Sequence, residues 1–253
     1  MRRLESRRGY AFTLLELLIA ISITTVLVVL LAQVLIAAAA QWRTADERID
    51  IFRDARAALF TMAHDLSRAN VSASAQMLTL SNYDNTASVP FAKEAFAVGP
   101  MANSGKSDLC TVGFYLVWDD INKAYRLKRL FRNSDDTVTS LAHSPPAFTN
   151  LFTKPTTPAE QQNMEEDLAT YVWDLRFSPG TAGDIEPVTA NPSTKWEWLE
   201  VRFKAMSPIA ARKLSAMNVP QSIWDDPNGA SYKTLILPNE QDFITRIRLQ
   251  QAP

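Results

Sequence analysis

A single carboxylate inside an apolar run carries the strongest chemical signal in this sequence. Glu16 is the fifth residue of the run Phe-Thr-Leu-Leu-Glu-Leu-Leu at positions 12–18, and the 24 residues 17–40 contain no charged side chain. A lone carboxylate costs about 2.5–3.5 kcal/mol at the centre of a bilayer and less near an interface, so such a group usually has a partner. We therefore expect Glu16 to form an ion pair that serves a function, rather than to be an incidental interfacial residue of an ordinary anchor.

The residues on either side of Glu16 predict a membrane-spanning helix with a defined orientation. About 20 apolar residues span the hydrocarbon core, and unpaired backbone cannot cross lipid, so residues 17–40 should be helical. Residues 1–11 contain four Arg and one Glu, which gives a local charge of +3. By the positive-inside rule this basic segment stays in the cytoplasm, and the rest of the chain lies on the far side of the membrane.

The N-terminus resembles that of a type IV prepilin or a type II secretion pseudopilin. The residues that carry the resemblance are Arg-Arg-Gly-Tyr-Ala at 7–11 followed by Phe-Thr-Leu-Leu-Glu-Leu-Leu-Ile-Ala-Ile at 12–21. In that family a short basic leader is removed just before a Phe, the new amine is N-methylated, and a Glu stands five residues into the mature chain. The resemblance implies a leader at 1–11, cleavage between Ala11 and Phe12, methylation of Phe12 and an assembly role for Glu16. The family usually has Gly before the cut, where this chain has Ala11.

The resemblance also implies partners and a location. A prepilin peptidase would process the chain at the inner membrane, which it would cross once with its head in the periplasm. The Glu16 carboxylate would then pair with the amine of a neighbouring pilin or pseudopilin subunit, which removes most of the cost of a buried charge. A secretory signal peptide cut after Ala38–Ala40 is the competing interpretation. Its apolar segment would usually be 7–15 residues, shorter than the run found here.

An amphipathic pattern continues the helix beyond the membrane. Apolar residues from Trp42 to Leu66 recur at steps of three, four or seven, and neither Pro nor Gly occurs between Phe12 and Val89. We predict one helix over about 12–69, with a membrane half at 12–40 and an amphipathic half at 41–70. The end of this helix, around Asp65-Leu66, is similar to the same region of the J-type minor pseudopilin.

The remainder, 71–253, is predicted to be a β-rich globular head, so the fold class is α+β, with the long helix packed on an antiparallel sheet as in pilins. Alternating apolar residues, or β-rich composition, predict the strands. A capping box at Thr157 and a Ser-Pro pair at 207–208 predict two helices, over 157–169 and 207–217. Long loops are expected at 81–108 and 134–156. The strand predictions are 76–80, 109–118, 124–132, 171–178, 198–205, 232–237 and 243–249, with a turn at 119–123. The strands on either side of that turn are expected to form an antiparallel hairpin, and 171–178 is expected to pair with 198–205.

Other chemistry finds little support in the sequence. A formal charge of −1 argues against nucleic-acid binding, and one Cys with two His leaves little for a disulfide or a Cys/His metal centre. The motifs of hydrolases, P-loop proteins, dinucleotide-binding proteins and zinc proteases do not occur in the sequence. We expect no enzyme activity, no cofactor and no metal. Acidic pairs at 119–120, 135–136 and 225–226 are the only calcium candidates, and they are more typical of solvated turns.

The sequence therefore predicts a minor pseudopilin of a type II secretion pseudopilus, at the tip or in the initiation complex, and it leaves alternatives open. The resemblance equally covers prepilin-like cassette proteins of the Verru-Chthon type. One alternative function is a type IV minor pilin for pilus assembly, adhesion or DNA uptake. The other is a membrane-anchored periplasmic binding module or enzyme.

Overall fold

The computed structural model describes residues 13–68, 70–71, 78–84, 91–101, 107–142, 151–180 and 196–251. The chain divides into two compact units, residues 1–47 and residues 48–253. One helix, α1 (Leu14–Ser67), contributes its first part to the first unit and its last part to the second. This confirms the predicted long helix, which the unbroken absence of Gly and Pro allows.

In the second unit, α1 buries one face in the hydrophobic core. Ile51, Ala55, Ala58, Met62 and Leu66 follow one another at steps of three or four residues, and none is more than 7% exposed. This spacing places them on one side of a helix with 3.6 residues per turn. This buried face coincides only in part with the apolar pattern predicted from the sequence. Leu66 belongs to both, whereas Trp42, Ile49 and Phe52 are 76%, 63% and 54% exposed.

Among the described residues, the head is built on one antiparallel sheet of eight strands. The path through the sheet is β6-β5-β4-β3-β7-β8-β9, and β2 pairs with β3 off this path. A separate parallel pair joins β1 to β10. The strands are β1 (Asn70–Val71), β2 (Leu78–Asp84), β3 (Phe91–Pro100), β4 (Leu109–Asp119), β5 (Ala124–Arg132), β6 (Glu165–Thr170), β7 (Val172–Gly180), β8 (Trp198–Met206), β9 (Glu240–Arg248) and β10 (Gln250–Gln251).

Within the sheet, β3 joins two antiparallel groups. It pairs with β4 along six register positions but with β7 at only one, Ala92 opposite Phe177. The predicted hairpin is confirmed as β4 and β5, with Leu116 opposite Leu127 and Trp118 opposite Tyr125. The predicted pairing of β7 with β8 is confirmed as well. The strands of the sheet are therefore joined least closely between β3 and β7.

Short helices lie in the described part of the head, and two of them begin where the capping signals predict. They are α2 (Ser134–Leu141), α3 (Pro158–Met164), α4 (Pro208–Ala216), α5 (Gln221–Trp224) and α6 (Ala230–Leu235), and a 3-10 turn follows at Leu237–Asn239. The side chain of Thr157 accepts from the backbone N–H of Glu160, and Glu160 completes the capping box. Ser207 caps α4 in the same way through Ala210.

Several sequence predictions for the head are wrong. The predicted loop at 81–108 contains most of β2 and all of β3, and the predicted loop at 134–156 begins with α2. The helix predicted over 157–169 ends at Met164, since residues 165–170 form β6 and pair with β5. The strand predicted over 232–237 is instead the end of α6 and the start of the 3-10 turn, where Tyr232 and Ile236 pack into a second hydrophobic cluster.

Candidate functional site: the start of the apolar helix

A capping box holds the Glu16 carboxylate at the first turn of α1. The backbone N–H and the hydroxyl of Thr13 both donate to Oε2 of Glu16, each at 3.2 Å, and the Thr13 hydroxyl accepts from the N–H of Glu16 at 3.3 Å. This is the reciprocal arrangement of a Thr-x-x-Glu capping box. Thr13-Leu-Leu-Glu16 is a readable sequence signature of this box, although the predictions above do not include it.

The box fixes the side chain without neutralising it. Its donors are uncharged, and both bonds end on Oε2, so they do not engage Oε1. A negative charge at this end of a helix is also favoured by the helix dipole. Glu16 is exposed in this structure, so its oriented carboxylate is accessible from outside the chain.

The helix that follows Glu16 offers an apolar surface on all sides. The helix over Leu14–Arg43 is long and apolar enough to span a membrane. Its most apolar 18-residue stretch has a mean hydropathy of 2.7, and none of that stretch is buried within the chain. Leu14, Leu31 and Ile36 are examples, with 81%, 66% and 72% of their surface exposed. A signal sequence would pass the same test of length and composition, so this helix is a candidate span.

The hydroxyl groups in this stretch are satisfied by the helix itself. Ser22 donates to the carbonyl of Leu18 at 3.0 Å, and Thr25 donates to that of Ile21 at 2.8 Å. Thr24 makes the same kind of bond, at 2.7 Å. Because lipid cannot satisfy polar groups, these internal bonds make the polar breaks compatible with a membrane environment.

The predicted cleavage and methylation residues, Ala11 and Phe12, lie outside the described residues. Their roles, and the basic leader before them, stay predictions. The assembly role of Glu16 is likewise a prediction, although the carboxylate is oriented at the start of the apolar helix.

A buried ion pair fastens the second half of α1 to the sheet. Asp65 is 4% exposed and accepts a hydrogen bond from Nε of Arg129 on β5, at 2.8 Å. The other oxygen of Asp65 lies 3.3 Å from Nδ1 of His64. His64 also stacks on the ring of Phe60, with the centroids 6.3 Å apart. Asp65 is therefore part of the connection between the long helix and the head.

Among the candidate calcium ligands, Asp119, Asp120 and Asp225 are engaged in other bonds. One oxygen of Asp119 accepts from the backbone N–H of Ile121, and the other from the Asn122 side chain and the Arg126 guanidinium. Burial alone would raise the pKa of Asp119, but the hydrogen bonds from Asn122 and Arg126 lower it to about 2. Among the described residues, no group of three or more His, Cys, Asp or Glu side chains is placed to hold a metal ion.

Comparison with known protein families matches the N-terminal residues. A family model described as the prokaryotic N-terminal methylation motif matches residues 6–32, which include Ala11, Phe12 and Glu16. A search of curated proteins finds no match for the chain. The motif is consistent with a type IV prepilin-like protein and is found in pilins and pseudopilins alike, so it does not separate the two.

Proposed function

We propose that this chain, which has the N-terminus of a type IV prepilin-like protein, is a minor pseudopilin that acts by self-assembly. It would be a structural subunit at the tip or in the initiation complex of a type II secretion pseudopilus. The observation that carries the proposal is the position of Glu16 inside the methylation motif, with its carboxylate oriented by Thr13 at the start of an exposed apolar helix.

The proposed assembly step is the pairing of two charges in a medium of low dielectric constant. Cleavage before Phe12 creates a new amine at the membrane face, and an adjoining subunit supplies the Glu16 carboxylate. The Thr13 bonds hold Oε2, so Oε1 is the oxygen we assign to the incoming amine. Pairing lowers the cost of keeping either charge in lipid and fixes the axial register between neighbouring subunits.

The head is proposed to act mechanically and without catalysing a reaction. The positive-inside rule supports a cytoplasmic N-terminus and a periplasmic head. The Asp65–Arg129 pair and the buried face of α1 tie the helix to the sheet, so a pull on the helix is passed to the head. This connection would let a subunit that is drawn out of the membrane carry its head with it.

Incorporation of Glu16 variants into the filament tests the proposal. Cells that carry the chain and its partner subunits would express wild type, Glu16→Leu and the matched control Gln33→Leu, which removes a polar side chain from the same helix. Crosslinking, followed by fractionation of membrane and filament, measures incorporation. We expect Glu16→Leu to stay folded in the membrane and to be lost from filaments, while Gln33→Leu is incorporated.

The result that contradicts the proposal is normal incorporation of Glu16→Leu. The same crosslinks separate the pseudopilin from the type IV minor pilin, since the methylation motif supports both equally. Crosslinks to subunits of a secretion system favour the first, and crosslinks to a major pilin favour the second.

A further inference from the structure

An open cleft of about 550 Å³ lies in the head. It is next to the junction of β3 and β7, and both strands line it. Strands β2 to β5, strand β7 and helix α5 contribute to its walls. Pockets that bind small molecules usually measure about 300–1,000 Å³ and combine aromatic walls with a few converging polar groups. The cleft has both features, and filament assembly as proposed above does not use it.

Two residues with unusual backbone conformations line the cleft. Asn82 has a φ of 57° and Asp174 a φ of 54°, and both values lie in the left-handed region. The second coincides with an irregularity in the pairing of β7 with β8 between Trp173 and Arg176. Bulges of this kind are over-represented beside binding sites, because they redirect a side chain that a regular strand would point elsewhere.

A connected set of hydrogen bonds makes one wall rigid. The indole N–H of Trp173 donates to the Tyr232 hydroxyl at 2.9 Å, and that hydroxyl donates to Oε2 of Glu240 at 2.6 Å. The other oxygen of Glu240 accepts from Lys204 at 2.9 Å. Satisfied polar networks in a low-dielectric interior are stiff, so this wall is preorganised.

Opposite charges pair with each other along the cleft. Arg176 makes two bonds of 2.7 Å to the two carboxylate oxygens of Asp174, and Lys154 forms an ion pair with Glu94. All four residues line the cleft. A charged ligand would have to compete with these internal pairs, whereas a neutral ligand rich in hydroxyl groups could bond to their remaining donors and acceptors.

Aromatic rings supply the complementary apolar surface. Trp118 and Tyr125 are half-buried and meet edge to face, with centroids 5.1 Å apart. Behind them, Trp224 packs edge to face on Trp173, also at 5.1 Å. The exposed Gln221 on α5 donates to the Tyr125 hydroxyl at 2.8 Å and reaches the cleft beside these rings.

We propose that this cleft binds a neutral carbohydrate. The apolar C–H face of a sugar ring would lie against Trp118 and Tyr125, and its hydroxyl groups would meet the Arg176–Asp174 pair and Gln221. This combination of an aromatic face with fixed, planar polar groups suits a ring that is apolar on its faces and polar at its edge.

Ligand-detected NMR on the full-length chain tests this proposal. The chain would be placed in lipid nanodiscs, which avoids glycoside detergents that would compete for the cleft. The probes are maltopentaose, cellopentaose and chitopentaose, and saturation transfer and fluorescence titration measure binding. We expect saturable binding of at least one probe. Gln221→Ala should weaken it by about three- to ten-fold, the value of one net hydrogen bond.

Ser222→Ala is the matched control, since Ser222 is exposed on the same short helix but does not line the cleft. Trp118→Leu should abolish binding, and if that variant does not fold, Gln221→Ala still decides. The proposal is overturned if no probe binds saturably, or if Gln221→Ala binds as tightly as Ser222→Ala. Preference for an anionic heparin hexasaccharide over all three neutral probes would also overturn it.

Discussion

The buried pair between Asp65 and Arg129 predicts a large and specific loss of stability when one partner is removed. Asp65 is 4% exposed, and its bond to Nε of Arg129 measures 2.8 Å. Breaking a buried ion pair by removing one side typically costs about 3–5 kcal/mol, because an uncompensated charge remains. Arg129 is 19% exposed, and His64 remains near the second oxygen, so we expect Arg129→Met to cost about 3 kcal/mol, at the lower end of this range.

Urea unfolding of the head, followed by tryptophan fluorescence on the full-length chain in detergent, measures this loss. With a urea slope of about 2 kcal/mol/M, a loss of about 3 kcal/mol lowers the unfolding midpoint by roughly 1.5 M. The matched control is Arg212→Met, which removes an exposed Arg on α4. We expect that control to stay within about 0.5 kcal/mol of wild type.

The double variant Asp65→Asn/Arg129→Met separates the ion pair from simple packing. It removes the buried charge together with its partner, so it should be more stable than Arg129→Met alone. The reasoning is refuted if Arg129→Met shifts the midpoint no more than Arg212→Met does. It is also refuted if the double variant shows no recovery, since the penalty would then not come from the unpaired carboxylate.

Two further predictions concern the head. Gly180→Ala should lower the free energy of unfolding by about 1–3 kcal/mol, because the added Cβ would overlap the ring of Trp198. Gly229→Ala is the control: the nearest neighbour of its added Cβ is the movable Asp226 side chain, so it should lower the free energy of unfolding less in the same urea assay. The pKa of Asp119 is lower in the folded head than in the unfolded chain, so its ionised carboxylate stabilises the head at pH values above the ordinary pKa of the carboxyl. This stabilisation is lost as pH falls through the pKa of the folded state, so the free energy of unfolding should drop between about pH 4 and pH 2. Asp119→Asn should flatten that part of a stability–pH profile measured by urea midpoints, and an unchanged slope would contradict the assignment.

The parts of the fold that local signals determine were predictable from the sequence. The helix α1 is marked by an unbroken run without Gly or Pro, and α3 and α4 by Thr157 and Ser207 at their starts. In the hairpin, β4 is rich in β-forming residues, and β5 alternates apolar and basic residues after a turn that starts at Asp119. In each case the residues that determine the element lie within it or next to it.

The wrong predictions arise where residues that are distant in the sequence determine the secondary structure. Residues 165–170 begin Glu-Glu-Asp, which favours helix, yet β5 offers them Lys128 and Arg129. The resulting ion pairs include Lys128 with Asp167 at 2.7 Å, and this pairing overrides local propensity. Ala-rich β3 has weak strand propensity and is stabilised by its position inside the sheet.

The same contrast between local signals and distant contacts applies to the candidate sites. The sequence identified Glu16 because a charge in an apolar run is conspicuous, and the capping signature at Thr13 could have been found by the same inspection. The proposed carbohydrate cleft could not be found in this way, since its walls bring together residues from 82 to 232 that share no local sequence pattern.

The most direct test of the central claim is the mass of the mature N-terminus, purified from a host with an active prepilin peptidase. The account predicts a chain that begins at Phe12 with one added methyl group, and that crosslinks through this terminus to Glu16 of an adjoining subunit. A chain that keeps residues 1–11, or one that begins at Gln41, would contradict it.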